Sequence, residues 1–106
     1  MHKHPALIAD ADGVIVFWNA AAERAFGHGA AAALGQTLDL IVPADFREAH
    51  WRGFRAAMQS GHAEVEGQAT PFPAQQADGV IAERPGRLTL LRAPDGGAIG
   101  AMVVFD

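Results

Sequence analysis

The chain has 106 residues, a formal net charge of −4 and no cysteine. That length supports one domain, and a hydrophobic share of 50% supplies an ordinary core and is too high for disorder. The charge suggests no nucleic-acid-binding face, and the lack of cysteine removes disulfides, thiol nucleophiles, cysteine-based zinc sites and cysteinyl adducts.

No run approaches the roughly 18 apolar residues of a membrane span, and the N-terminus lacks a signal-peptide core. A soluble cytoplasmic domain with no membrane segment is the expectation. The chain stops at Val103-Val104-Phe105-Asp106 without an end signal, so it is also expected to be cut from something longer.

Residues 1–5 are polar and read as a loose N-terminal tail, leaving 6–106 as the domain. Ala6–Ala9 and Val14–Trp18 are apolar runs separated by the turn D-A-D-G, which predicts a hairpin. Asn19 is a strong N-cap, because its side-chain oxygen accepts from the first unpaired N–H groups of a helix. Gly27 suits the left-handed position after a helix end, so Ala20–Phe26 is a short helix. Gly29–Leu34 is a weaker alanine-rich turn closed by Gly35. Leu38–Val42, which includes Ile41, is apolar and leads into Pro43-Ala44-Asp45, a favourable helix start. The helix that follows runs to about Ser60 and ends at Gly61. Phe46, His50, Phe54 and Met58 fall four apart on it, beside Ala49, Gly53 and Ala57, and form one stripe.

Residues 63–106 read as strand. Val80–Glu83, Arg87–Arg92 and Ala98–Phe105 carry apolar or alternating runs, and Q-A-D-G and P-D-G-G mark turns. Pro71, Pro73 and Pro85 break the pattern, so the earlier strands are expected to be irregular or at an edge. Two strands, short helices, a longer helix and three strands make an α+β domain: an antiparallel sheet with helices on one face.

The stretch A-L-I-A-D-A-D-G-V-I-V-F-W-N-A-A-A-E-R-A-F-G resembles the opening of a PAS sensor domain. L-D-L-I-V-P and D-G-G-A-I-G-A-M-V-V-F-D resemble that family's helix lead-in and last hairpin strand. The resemblance spans Ala6 to Asp106. It implies a five-stranded antiparallel sheet cupping a ligand pocket against the longer helix, with Phe105-Asp106 where the family links to an output module. The photoactive flavin and cinnamoyl branches need a cysteine and are excluded.

P-A-D-F-R-E-A-H-W-R-G-F is similar to the helix motif of haem-binding, FixL-type PAS domains. The resemblance puts His50 at the iron-ligand position of haem b. Neutral imidazole is a common haem ligand; the alternative is a core histidine with a satisfied ring. Phe46 and Phe54 would wall a porphyrin. Gly53 costs about 1 kcal/mol against alanine in a helix, so it either leaves room for a flat ring or permits close helix–sheet packing. Met58 lies eight residues on, about 12 Å along the axis, and is pocket wall rather than a second axial ligand. Leu88 and Leu90 would line the distal face. Met102 is either a thioether ligand or an apolar filler. Arg55 and His62 are either partners of haem propionates or solvated surface.

One departure is plain. The FixL-type arginine that hydrogen-bonds oxygen has no counterpart in 63–76, where Gln68 and Gln75 are the candidate donors; without a donor, an apolar pocket favours carbon monoxide. Arg84 and Arg87 are expected in a kinked turn.

Other candidates read as structural. His2 and His4 sit in the tail, where a stray metal ion is the alternative. His28 is a surface or half-buried polar residue. Asp10, Asp12, Asp78 and Asp95 are turn formers. Ser60 is the only serine, so no Ser–His–Asp set exists. G-H-G at Gly27–Gly29 lacks the lysine of a phosphate loop, and no catalysis is expected. Trp18 belongs either to a dimer surface or beneath the first helix.

The resemblance therefore implies a signal-input PAS domain. It would bind haem b through His50, sense a diatomic gas (oxygen, carbon monoxide or nitric oxide) or a redox state, and act on an output kinase, cyclase or transcription-regulator domain, as a homodimer. The alternatives are a haem-free interaction and dimerisation module or sensor of an apolar metabolite, and an FAD-binding redox PAS domain.

Overall fold

The fold is built on one turn. In the computed structural model, which describes residues 3–106, strands β1 (Ala6–Asp10) and β2 (Ile15–Trp18) pair antiparallel. Between them the Asp10 carboxylate accepts from the N–H groups of Asp12 and Val14 at 2.9 and 3.0 Å. Gly13 closes the turn with φ +79°, and a Cβ there would collide with the Trp51 ring. Glycine is therefore required twice over, for its backbone angle and for its missing side chain.

Asn19 caps helix α1 (Ala20–Phe26) by accepting from Ala22 N–H at 2.8 Å, and it also accepts from Ala6 N–H at 3.0 Å. One side chain thus ties the helix start to the first strand. Helix α2 (Ala30–Ala33) and two single 3-10 turns, Leu38–Leu40 and Ala44–Phe46, lead into α3 (Arg47–Ser60), which Gly61 ends at φ 72°. The expected long helix is present, with its first turn tightened to 3-10 geometry.

Strands β3 (Thr70–Gln75), β4 (Ile81–Arg92) and β5 (Ala98–Phe105) complete an antiparallel sheet of order β2-β1-β5-β4-β3. β3, with Pro71 and Pro73, is an edge strand, where a missing N–H is tolerated. β4 is continuous through Pro85, where a break was expected. Arg84 and Arg87 consequently lie on a strand, not in a kinked turn. Arg84 stands over the Phe26 ring at 5.4 Å, and Arg87 donates to the Gly67 carbonyl at 2.7 Å.

The described part of the N-terminal tail is tied down. The His4 carbonyl accepts from Asn19 Nδ2, the Pro5 carbonyl accepts from Phe105 N–H, and Pro5 is buried. Met1 and His2 lie outside the described residues.

The core sits under β1 and β5. Phe26 is fully buried, 5.6 Å from the Trp18 ring and 5.2 Å from the Phe105 ring. Trp18 donates through Nε1 to the His28 carbonyl at 2.9 Å and is 5% exposed. It packs beneath α1 and forms no dimer surface.

Candidate functional site

Strand register decides which side chains face the helices. Leu7 pairs with Val103 and Val103 with Leu88; Ala9 pairs with Ala101 and Ala101 with Leu90. These residues share the inner face. Ile8, Met102 and Thr89 form the next row and point to the outer face, because side chains alternate along a strand.

Between this inner face and α3 lies an apolar cavity of about 720 Å³, within the roughly 300–1,000 Å³ range of small-molecule sites. Of α3's 14 residues only Ala57 is buried. The stripe of Phe46, Ala49, His50, Gly53, Phe54 and Met58 borders the cavity, and Phe54 and Met58 also pack against the small cluster of Ala57, Leu90 and Ala101. A Cβ added at Gly53 would meet nothing within 4 Å. Close helix–sheet packing is therefore not why glycine stands there; it borders open space.

His50 is half-buried at the cavity wall. Its Nδ1 is shut away from solvent and has no hydrogen-bond partner among the described residues. Such an atom costs free energy unless something bonds to the ring. Burial pushes the imidazole below its ordinary range, and the Asp39 carboxylate pulls partly the other way. Burial thus favours the neutral form of the ring, the form that ligates metals. The Trp51 ring meets it edge-on at 4.9 Å, and the Phe54 ring stacks at 6.0 Å with a 29° tilt. Trp51 is itself fixed by a 2.7 Å hydrogen bond from Nε1 to Asp39 Oδ1.

The structure brings together Ile41, His50, Phe54, Met58, His62, Leu88 and Leu90 around the cavity. Two expected residues do not join them. Met102 is on the outer sheet face, so it is placed as neither ligand nor pocket filler. Arg55 borders a separate surface hollow with Asp12, Thr37, Asp39, Trp51 and Phe54. Gln68 and Gln75 are likewise absent from the cavity wall, and Gln68 donates to the Glu64 carbonyl instead.

Two features escaped the sequence reading. Asp39, between two leucines, anchors Trp51; the available signal was that a half-buried indole N–H needs a partner. The second is the segment 61–69, which forms a wall of the cavity through His62, Ala63, Glu64 and Val65. Glu66 clamps this segment to β4. It accepts from Arg92 at 2.6 and 3.0 Å and from the Leu90 N–H at 2.9 Å. The Arg92 hydrogen bonds, and then that from Leu90, hold its carboxyl down at about 2. These partners are 24 and 26 residues apart, and no local pattern announces them.

The residues fit haem at one end better than at the other. The apolar walls, the open flank of Gly53 and the unpartnered imidazole suit an iron porphyrin. Neither lysine nor arginine lines the cavity to meet the propionates such a ring would carry, and His62 is the lining side chain that would hydrogen-bond one. Among the described residues, no three His, Cys, Asp or Glu side chains group to hold a bare metal ion, and no helix is long and apolar enough to cross a membrane.

Comparison with known proteins agrees with this architecture. The oxygen sensor protein DosP of Escherichia coli K12 is 30% identical over 74 residues, which cover 70% of this chain and 9% of that protein. The chain thus spans less than a tenth of that relative's length. The crystal structure of the PAS domain of a Colwellia psychrerythraea protein superposes with a TM-score of 0.83 at 16% identity, over 99% of this chain and 86% of that one. An RNA-binding light-oxygen-voltage receptor superposes with a TM-score of 0.75 at 21% identity, over 99% of this chain and 30% of that one. At those identities the two structures show the fold alone. The family model described as the PAS fold matches residues 3–106, and with the five-stranded sheet and helices found here it shows that this chain belongs to the PAS family of sensory domains.

Proposed function

We propose that this domain is a cytoplasmic signal input that binds haem b through His50 and senses a diatomic gas or redox state. The observation that carries it is an imidazole, with a buried nitrogen lacking a partner, bordering an apolar cavity of about 720 Å³. The resemblance to DosP, named an oxygen sensor, supports the same reading. His50 would hold the iron, Phe54, Met58 and Ile41 would wall the ring, and His62 would meet a propionate. Bound haem supplies an iron that takes a gas molecule or changes oxidation state. The domain relays and does not catalyse.

The path outward is the central strand. Ala101 and Val103 on β5 line the cavity, and Phe105 ends the same strand with its N–H bonded to Pro5. A ligand that prefers one position of this strand shifts the domain by its differential affinity and by no more. The receiver would be a kinase, cyclase or transcription-regulator domain of a longer protein, working as a homodimer.

Titration with haemin tests the reading. The wild type should give a sharp Soret band at one equivalent, and His50→Ala should lose it or bind at least tenfold more weakly. Arg55→Ala should bind as the wild type does. If wild type and His50→Ala behave alike, the reading fails.

The second reading is a haem-free PAS module that holds an apolar metabolite or dimerises. What favours it is the absence of lysine and arginine from the cavity lining. A wild-type protein that stays colourless with haemin and is stabilised by a medium-chain hydrocarbon ligand would select it. An FAD-binding redox domain is the third reading, and a yellow flavin spectrum would mark it.

A further inference from the structure

The surface hollow beside Arg55 has a volume of about 430 Å³, and three segments meet around it. The D-A-D-G turn brings Asp12, the lead-in to α3 brings Thr37 and Asp39, and α3 brings Trp51, Phe54 and Arg55. These segments are locked to one another. Leu38 N–H donates to the Gly13 carbonyl at 3.0 Å, the Trp51 ring sits against Gly13, and its Nε1 donates to Asp39 Oδ1 at 2.7 Å.

The polar groups around the hollow are mostly idle in the fold. Among the described residues the ion pairs are Arg47–Asp39, Arg52–Glu48 and Arg92–Glu66, so Asp12 and Arg55 belong to none. Thr37 holds the N-cap position of the turn Leu38–Leu40, yet its side chain makes no capping bond, the usual task of a threonine there. Trp51 and Arg47 both approach Asp39 at Oδ1, which leaves Oδ2 free to accept. Two carboxylates, a hydroxyl and a guanidinium thus border one hollow beside two aromatic rings, and Asp12 and Arg55 do not neutralise each other.

We propose that this hollow is a second ligand site, separate from the central cavity, that takes a free α-amino acid with an apolar side chain. A ligand bearing both signs matches what the fold leaves unpaired. Its ammonium would donate to Asp12 and to Asp39 Oδ2, and its carboxylate would accept from Arg55, whose fork suits the two oxygens. The Thr37 hydroxyl can serve either group. The Trp51 and Phe54 rings offer the apolar surface for the side chain. An amine alone would bring its charge up against Arg55, and an acid alone would bring its charge up against two carboxylates, so each half is disfavoured by the group meant for the other. The locked segments leave little to be ordered on binding.

Calorimetric titration of the 106-residue chain tests this. The probes are L-leucine, L-methionine and L-phenylalanine, with 3-methylbutylamine and 4-methylpentanoate as leucine without its carboxylate and without its ammonium. At least one amino acid should bind at one equivalent and change the emission of Trp51. For leucine, each half-molecule should bind about tenfold more weakly or worse. Asp12→Asn and Arg55→Ala change exposed side chains outside every ion pair of the described residues, so both should fold, and each should weaken amino-acid binding by about tenfold. Glu48→Gln, which removes a charge from α3 away from the hollow, should leave it unchanged. Added salt should weaken binding, because the charged groups are open to solvent. Three results would overturn the proposal: no amino acid binds at millimolar concentration, the amine alone binds as well as leucine, or Asp12→Asn and Arg55→Ala bind as the wild type does. None of these outcomes depends on whether the domain takes haemin, so this site and the haem reading stand or fall separately.

Discussion

Two helices lie on the same face of one sheet and use it in opposite ways. α1 has seven residues, three of them buried, and its Phe26 closes against the rings of Trp18 and Phe105. α3 is twice as long and buries one. It is held along its flank by Trp51, bonded to Asp39 and seated on Gly13, and from beneath only at one small cluster, where Ala57, Phe54 and Met58 meet Leu90 and Ala101. The α1 half of the sheet is filled by its own side chains; the α3 half borders an apolar cavity of about 720 Å³.

The sharpest way to break that contrast is to delete a ring from each half. Phe26→Ala removes a fully buried ring from close-packed surroundings and should cost about 3–5 kcal/mol. Phe54→Ala removes one that already borders open space and should cost well under that, because little new cavity is created. Urea unfolding followed by circular dichroism reads both. Equal costs would mean that the two halves are packed alike.

Gly13→Ala comes next in size. The backbone there is left-handed and the Trp51 ring occupies the space a Cβ needs. The expected cost is about 1–3 kcal/mol. Because Trp51 must move, its emission should shift to the red and haemin affinity should drop with it. A loss of stability alone, with fluorescence and haemin binding unchanged, would separate this contact from the His50 site.

How much of this could be read from the chain depends on the range of the interaction. The hairpin at D-A-D-G, the Asn19 cap, the end at Gly61 and the stripe through His50 are local, and each was legible because the cause lies within a few residues. The edge position of β3 followed from Pro71 and Pro73 for the same reason. The inner-face reading of Met102 and the propionate reading of Arg55, as against its surface alternative, depend on register and helix rotation, which neighbours in sequence do not set. One residue of register moves a whole strand's side chains to the other face. β4 ran on through Pro85 because its partner strand and the Phe105 end hold it. The Glu66 clamp joins residues 26 apart and was invisible.

Gly53→Ala should have a smaller effect and the opposite sign. Nothing lies within 4 Å of an added Cβ, so alanine enters without strain. It should stabilise the ligand-free domain by about 0.5–1 kcal/mol through helix propensity and a less flexible unfolded chain. If the space beside Gly53 serves a flat ligand, the same change should weaken haemin binding severalfold. A gain in stability without that loss would leave the glycine unexplained by the cavity.

The least effect belongs to the clamp on the cavity's third wall, and its sign follows from proton binding. Glu66 titrates at about 2 in the folded domain, against 4.5 for a free carboxyl. Between those values the unfolded chain takes up a proton that the folded one refuses, so folding weakens as pH falls. The contribution is complete above about 4.5 and gone by about 2. Both partners are partly solvated, so it should be modest and should shrink with salt. Glu66→Gln should lower the urea midpoint at pH 7 and match the wild type near pH 2. The α1 half has no such ion pair among the described residues, and Phe26 variants should carry the same loss at both pH values. If Glu66→Gln instead destabilised equally at both, the carboxylate's charge would be irrelevant, and the segment 61–69 would be held by packing, as the other half is.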